Sequence, residues 1–175
     1  MGHQLMSTSA QRVLDSIRRI VRVLREGSRA SEDAVGLSAA QQFVLQKLDP
    51  DAPLSLNELA ARTLTHQSSV SVVVSRLVER GLVQRRPAAD DAHRLELLPT
   101  RRGLALRDRA PAPAQDRVIA AVATLSDKQQ RELADLLERL VRAVGLDDRA
   151  APMLSFDEPA ARRRRPRRRG NTKRA

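Results

Sequence analysis

The sequence predicts a mainly α-helical protein with one small β-hairpin, and three observations lead there. Four capping boxes of the Ser/Thr-x-x-Gln/Glu kind each head a stretch with apolar residues at helical spacing. One pair of short segments, divided by a loop rich in Pro and Asp, suits paired strands instead. The first and last periodic stretches carry narrow apolar stripes, a pattern for helices that pack on one partner. A chain of 175 residues is long enough for one domain with an ordinary core.

The first box, Thr8 to Gln11, opens a helix expected to run to about Glu26. Its stripe is Val13, Leu14, Ile17, Ile20, Val21 and Leu24, and its opposite side is basic, with Arg12, Arg18, Arg19, Arg22 and Arg25. Ser38 to Gln41 opens a second helix through Phe43, Val44, Leu45 and Leu48, which Pro50 and Pro53 end. Ser55 to Glu58 opens a short third helix with Leu56, Leu59 and Ala60, ending near Thr63. Leu54, just before the cap, is placed to staple Leu59.

The stretch from His66 to Arg80 contains a β-branched run at Val72–Val74. Yet Val70, Val73, Val74, Leu77 and Val78 fall at i, i+3, i+4, i+7 and i+8, the helical template, and Gly81 supplies a stop. Leu82–Arg86 reads as a strand stopped by Pro87, and His93–Leu97 alternates as its return. A helix resumes at Thr100 with Leu104 and Leu106; Pro111 and Pro113 interrupt it before Val118, Ile119, Ala121, Val122 and Leu125. Ser126 to Gln129 opens the last helix, whose stripe is Leu133, Leu136, Leu137, Leu140, Val141 and Val144, up to Gly145. Residues 1–7 are expected to be a flexible arm, with Met6 an alternative start. Residues 146–175 are expected to be a linker and a disordered Arg-rich tail.

Net charge is +11, but residues 160–175 hold eight Arg, one Lys and no acid. Without them 23 basic residues face 21 acidic ones, a charge of +2, so nucleic-acid binding by the body must rest on where charges sit. Cysteine is absent, which excludes disulfides, thiolate metal sites and thiol-based sensing. No apolar run spans a bilayer, and the N-terminus shows no apolar export segment, so a cytoplasmic protein with no membrane partner is expected. The histidines, at 3, 66 and 93, lack metal-ligand spacing. With no Gly-rich phosphate loop, nucleophile elbow or paired histidines, the sequence predicts neither an enzyme nor a cofactor.

Two short helices, a hairpin and long amphipathic helices at both ends describe a winged helix-turn-helix with N- and C-terminal dimerisation helices. Between Ser55 and Gly103 the chain resembles the MarR family of bacterial transcription regulators. The resemblance is carried by Leu59-Ala60 with Val70 and Val73, by Gln67-Ser68-Ser69-Val70-Ser71, and by Arg76-Leu77-Val78-Glu79-Arg80-Gly81-Leu82-Val83. Two departures stand out: Leu64 holds a turn position where the family often has Gly, and the wing lacks the family's usual Asp-x-Arg, its Arg position falling on His93 in one register and on Asp91 in the other, with Arg94 the nearest substitute. Thr100 and Gly103 keep the Thr-x-x-Gly start of the next helix. The implied division is residues 8–36 for an N-terminal dimerisation helix and linker, 37–100 for the winged DNA-binding region, and 101–145 for C-terminal dimerisation helices.

A helix fits the major groove, where Gln67 can pair with adenine, Val72 can meet a thymine methyl, and Ser75 and Arg76 extend the face. Ser68, Ser69 and Ser71 can bond phosphates near the helix start, with His66 at the cap or on a phosphate and Ser55 at the preceding cap. Arg85, Arg86 and Arg94, with His93, can follow phosphates or a narrow minor groove. The resemblance further implies double-stranded DNA and a second copy of the chain as partners, and a repressor released from an inverted repeat by a small-molecule effector. The effector pocket would be lined by Ile17, Val21, Phe43, Val44 and Leu104, side chains that serve equally as core. Two other readings stay open: an architectural DNA binder driven by the Arg-rich tail, and a protein-interaction module without DNA binding.

Overall fold

The computed structural model describes residues 8–88, 91 and 94–145. The expected arm at 1–7, the tail at 146–175 and His93 lie outside them. Seven helices and one hairpin occur among the described residues: α1 (Thr8–Val35), α2 (Ala39–Gln46), α3 (Leu56–Arg62), α4 (Gln67–Glu79), β1 (Val83–Pro87), β2 (Leu95–Pro99), α5 (Arg101–Arg109), α6 (Ala114–Ala123) and α7 (Asp127–Ala143).

α1 runs nine residues past the expected end at Glu26, and Thr8 lies inside it rather than capping it. The extension, from Gly27 to Val35, is poor in apolar residues, so periodicity alone ends early. Packing sustains it. Ser28 and Ser31 are buried, and at Gly27 helix α6 crosses so closely that an added Cβ would lie 2.4 Å from the Ala114 Cβ. Tertiary contact here outweighs the weak helix preference of Gly and Ser. The chain turns out at Gly36, whose φ of +64° suits a residue without Cβ.

The capping boxes at Ser38, Ser55 and Ser126 all form, each with both reciprocal bonds. The core gathers where α2, α3, α4 and the hairpin meet, from Leu37, Phe43, Val44, Leu45, Leu48, Leu59, Val70, Val74, Leu77, Leu82, Val83 and Leu97. Burying each large side chain contributes about 1.5–3 kcal/mol, so this cluster anchors the elements around it.

The hairpin pairs antiparallel with Val83 opposite Pro99 and Pro87 opposite Leu95. It therefore sits later than the sequence predicts: β2 is Leu95–Pro99, not His93–Leu97, and Pro87 ends β1 from inside. A proline is tolerated at a strand end because its missing N–H breaks no interior rung. Leu54 adds a bridge on the other edge of β2, donating its N–H to the Leu97 oxygen at 3.4 Å and accepting from the Leu97 N–H at 2.8 Å. Leu54 is buried in the same core as Leu59. Simple alternation fails in β2: Leu95 is exposed at the far end, while Leu97 and Leu98 are both buried where α3 and α5 pack on the strand.

Candidate nucleic-acid interface

Helix α3 ends in a Schellman motif. The Thr65 N–H donates to the Ala60 carbonyl and the Leu64 N–H to that of Ala61. The motif needs a left-handed residue, and here that residue is Leu64, at φ 50° and 74% exposed. This turn aims α4. His66 is its N-cap residue but makes no side-chain capping bond, so of the two expected roles the capping one is not realised.

Val70, Val73, Val74 and Leu77 bury one side of α4 against α2 and α3. The helix reading thus overrides the β-branched composition, because these positions share one face. On the opposite side Gln67, Ser68 and Arg76 are exposed, Val72 is 54% exposed, and Ser69, Ser71 and Ser75 are half-buried. This surface is short, hydroxyl-rich and carries one charge. Nothing in the folding of α4 requires such residues, and a major groove accepts them.

The arginines beside α4 are held by the protein itself. Arg85 donates from Nη2 to the Ser75 Oγ at 3.2 Å, tying β1 to the middle of α4. Arg86 and Arg94 share the carboxylate of Glu96, at 3.4 Å and 3.7 Å. A guanidinium has five N–H donors, so Arg85 and Arg86 keep capacity for phosphate oxygens after these bonds. Ser55 uses its Oγ to accept from the Glu58 N–H at 3.3 Å, and Glu58 accepts in turn from the Ser55 N–H at 2.7 Å. The Ser55 hydroxyl and backbone N–H hold the Glu58 carboxyl below its ordinary value, with Arg94 and Arg62 adding to the effect.

The hairpin is locked to the next helix by Thr100 and Gly103. Thr100 caps α5 by accepting from the Gly103 N–H, and donates its hydroxyl to the Gly81 oxygen at 2.8 Å. Sequence reasoning missed Glu96 as the residue that organises the hairpin arginines. Its signal was present: one acid in a strand, two residues from Arg94 and across the ladder from Arg86.

A sequence model of the MarR family matches residues 36–93. An HTH-type transcriptional repressor of Mycobacterium tuberculosis is 30% identical over 122 residues, covering 70% of this chain and 88% of that protein. A repressor of the same description in Mycobacterium bovis matches equally. The chain belongs to the MarR family. A MarR family regulator from Streptomyces coelicolor, solved in complex with DNA, shares the fold with a TM-score of 0.54 at 22% identity, over 82% of this chain and 92% of that one.

In this MarR-family chain the two terminal stripes differ in how far the chain covers them. On α1, Val13, Leu14 and Ile20 are exposed, Ile17 and Val21 are half-buried, and Leu24 is buried within its own chain. Leu24 lies one turn before the crossing of α6 at Gly27. On α7, no residue is buried, and Leu133, Leu136, Leu137, Leu140, Val141 and, at its C-cap, Val144 are all exposed, Leu136 at 61%. Of the pocket set, Phe43 and Val44 belong to the packed core, while Ile17, Val21 and Leu104 are half-buried. No helix among the described residues is long and apolar enough to cross a membrane.

Proposed function

We propose that this MarR-family regulator is a cytoplasmic homodimeric repressor that reads an inverted repeat through α4 and leaves it when a small molecule binds. The observation that carries the reading is the outward face of α4: Gln67, Ser68, Ser71, Val72, Ser75 and Arg76 opposite a fully packed apolar side. In this reading Gln67 and Val72 meet base edges, the serines and Arg76 meet phosphates or bases, and Arg85, Arg86 and Arg94 flank the duplex. The naming of the mycobacterial relatives as repressors supports repression.

The exposed leucines of α7 and the outer half of the α1 stripe support a two-fold dimer, since so contiguous an apolar face is otherwise left in water. Two copies of α4 would then read half-sites about 10 base pairs apart. An effector acts only by binding differently to two separations of those helices. In this reading the half-buried Ile17, Val21 and Leu104 line its site, with Phe43 and Val44 left in the packed core.

The test is duplex binding by the full chain and by a chain ending at Pro159, on DNA upstream of its own gene, with scrambled competitor across a salt series. The expected result is one preferred inverted repeat for both proteins, with a weaker salt dependence for the shorter one. Loss of all preference, with binding that disappears along with the tail, would overturn the reading.

A further inference from the structure

The C-terminal end of α4 is held at a three-way junction made by one side chain. Arg80, the C-cap residue of α4, donates from Nη1 to the Gly36 carbonyl at 2.9 Å and to the Gln41 Oε1 at 3.0 Å. Gly36 is the exit of α1, and its carbonyl belongs to the helix end where a cation is favoured. Gln41 is the capping-box residue of α2, and the same Oε1 also accepts from the Ser38 N–H at 3.2 Å. From the other side, Arg102 of α5 donates to the Arg80 carbonyl at 3.3 Å. One guanidinium thus joins the end of α4 to the end of α1 and the start of α2, while α5 grips its backbone.

We propose that Arg80 is a positioning residue that fixes the direction of α4 relative to α1, and through it the separation of the two recognition helices. It lies beyond the end of the face assigned to DNA: Gln67 and Ser68 are at the opposite end of α4, about three turns away, and Arg76, the last residue of that face, is met only through the backbone, the Arg80 N–H donating to its carbonyl at 3.1 Å. A bond at the far end of a helix controls angle rather than contact. Because α1 carries the exposed stripe assigned to the dimer, the angle between α1 and α4 becomes the distance between half-sites. This inference rests on the dimeric, inverted-repeat reading above.

The test starts from the inverted repeat that the wild-type protein selects from a randomised duplex pool, resynthesised with one or two base pairs added or removed between half-sites. Wild type is expected to lose about tenfold or more in affinity at the wrong spacing. Arg80→Met, which keeps the aliphatic stem and removes the donors, is expected to bring the spacings within about threefold of one another while dimer mass and melting stay close to wild type. Arg80→Lys, retaining a donor, is expected to lie between. Should Arg80→Met not fold, the comparison is read on Arg80→Lys. Unchanged spacing selectivity in the variant overturns the proposal, as does equal weakening at every spacing, which would make Arg80 a phosphate contact or a stability residue. Absence of spacing selectivity in the wild type overturns the dimeric reading itself.

Discussion

Gly103 faces the backbone carbonyl of Leu82 so closely that a Cβ at 103 would lie 2.1 Å from that oxygen. The same oxygen accepts from the Thr100 N–H at 3.0 Å, so it cannot move aside without breaking the bond that holds the N-cap residue of α5. Gly103→Ala must push α5 away from the corner where α4 becomes β1. A destabilisation of about 1–3 kcal/mol is expected, read from the urea midpoint. An unchanged midpoint would mean that the corner relaxes freely and that the Thr-x-x-Gly spacing has no packing role.

Leu64 and Gly81 occupy the same place in the same motif. Each follows the C-cap residue of its helix with positive φ, and in each case its own N–H and that of the next residue close the Schellman bonds. Glycine adopts this conformation freely, whereas leucine is strained by about 1 kcal/mol or somewhat more. Leu64 is exposed, so little burial offsets that strain. Leu64→Gly is therefore expected to raise stability by about 1 kcal/mol, and Leu64→Asn by less. Destabilisation by the glycine variant would show that the Leu64 side chain is held by something stronger than its backbone strain.

The particular residues explain how much of this was legible in the sequence. Ser38, Ser55 and Ser126 act through neighbours three residues away, so a local pattern reveals them, and the same holds for the buried side of α4. The extension of α1 was hidden because Gly27 gains its place from a helix some 85 residues later in the chain, at Ala114, and Ser28 and Ser31 beside it are buried by tertiary packing. The hairpin slipped for a similar reason: Leu54 pairs with Leu97, and alternation inside β2 cannot report a partner more than 40 residues away. The face of α4 was readable residue by residue, whereas the bonds of Arg80 to Gly36 and Gln41 connect three helices and leave no periodic trace.

Ser31 gives a different kind of prediction. Its hydroxyl is fully buried on α1 and has no hydrogen-bond partner in the described structure. A buried, unsatisfied hydroxyl costs about 1–3 kcal/mol relative to a satisfied one. Ser31→Ala removes that cost and adds a better helix former, so it is expected to stabilise the fold by about 1 kcal/mol or more, again by urea midpoint. A loss of stability would show that the hydroxyl is bonded in solution.

The dimer reading separates cleanly from folding at α7. Leu136 and Leu140 are exposed and lie one turn apart on a helix that buries nothing within its own chain. Leu136→Asp with Leu140→Asp is expected to leave α2 to α5 folded, to halve the mass measured by sedimentation, and to weaken duplex binding by about a hundredfold or more as the two half-sites cease to act together. A monomeric wild type, or a double variant that stays dimeric and binds normally, would remove α7 from the interface.

Acid should weaken one specific joint, the cap of α3. The Glu58 carboxylate is held below its ordinary value of 4.5 first by the Ser55 hydroxyl, then by the Ser55 N–H, with Arg94 and Arg62 contributing and burial opposing. The folded state therefore prefers the ionised form, and the unfolded chain takes up the proton first as pH falls. Its contribution is complete above 4.5 and is lost as pH drops through the lower folded value. Glu58→Gln keeps an acceptor for the Ser55 N–H but removes the charge. At neutral pH the variant is expected to be less stable than wild type, and the gap should close below 4.5 as the wild-type carboxyl protonates. Denaturation midpoints of both proteins at neutral and acidic pH decide it, because a gap independent of pH would assign the stabilisation to the shape of the cap rather than to its charge.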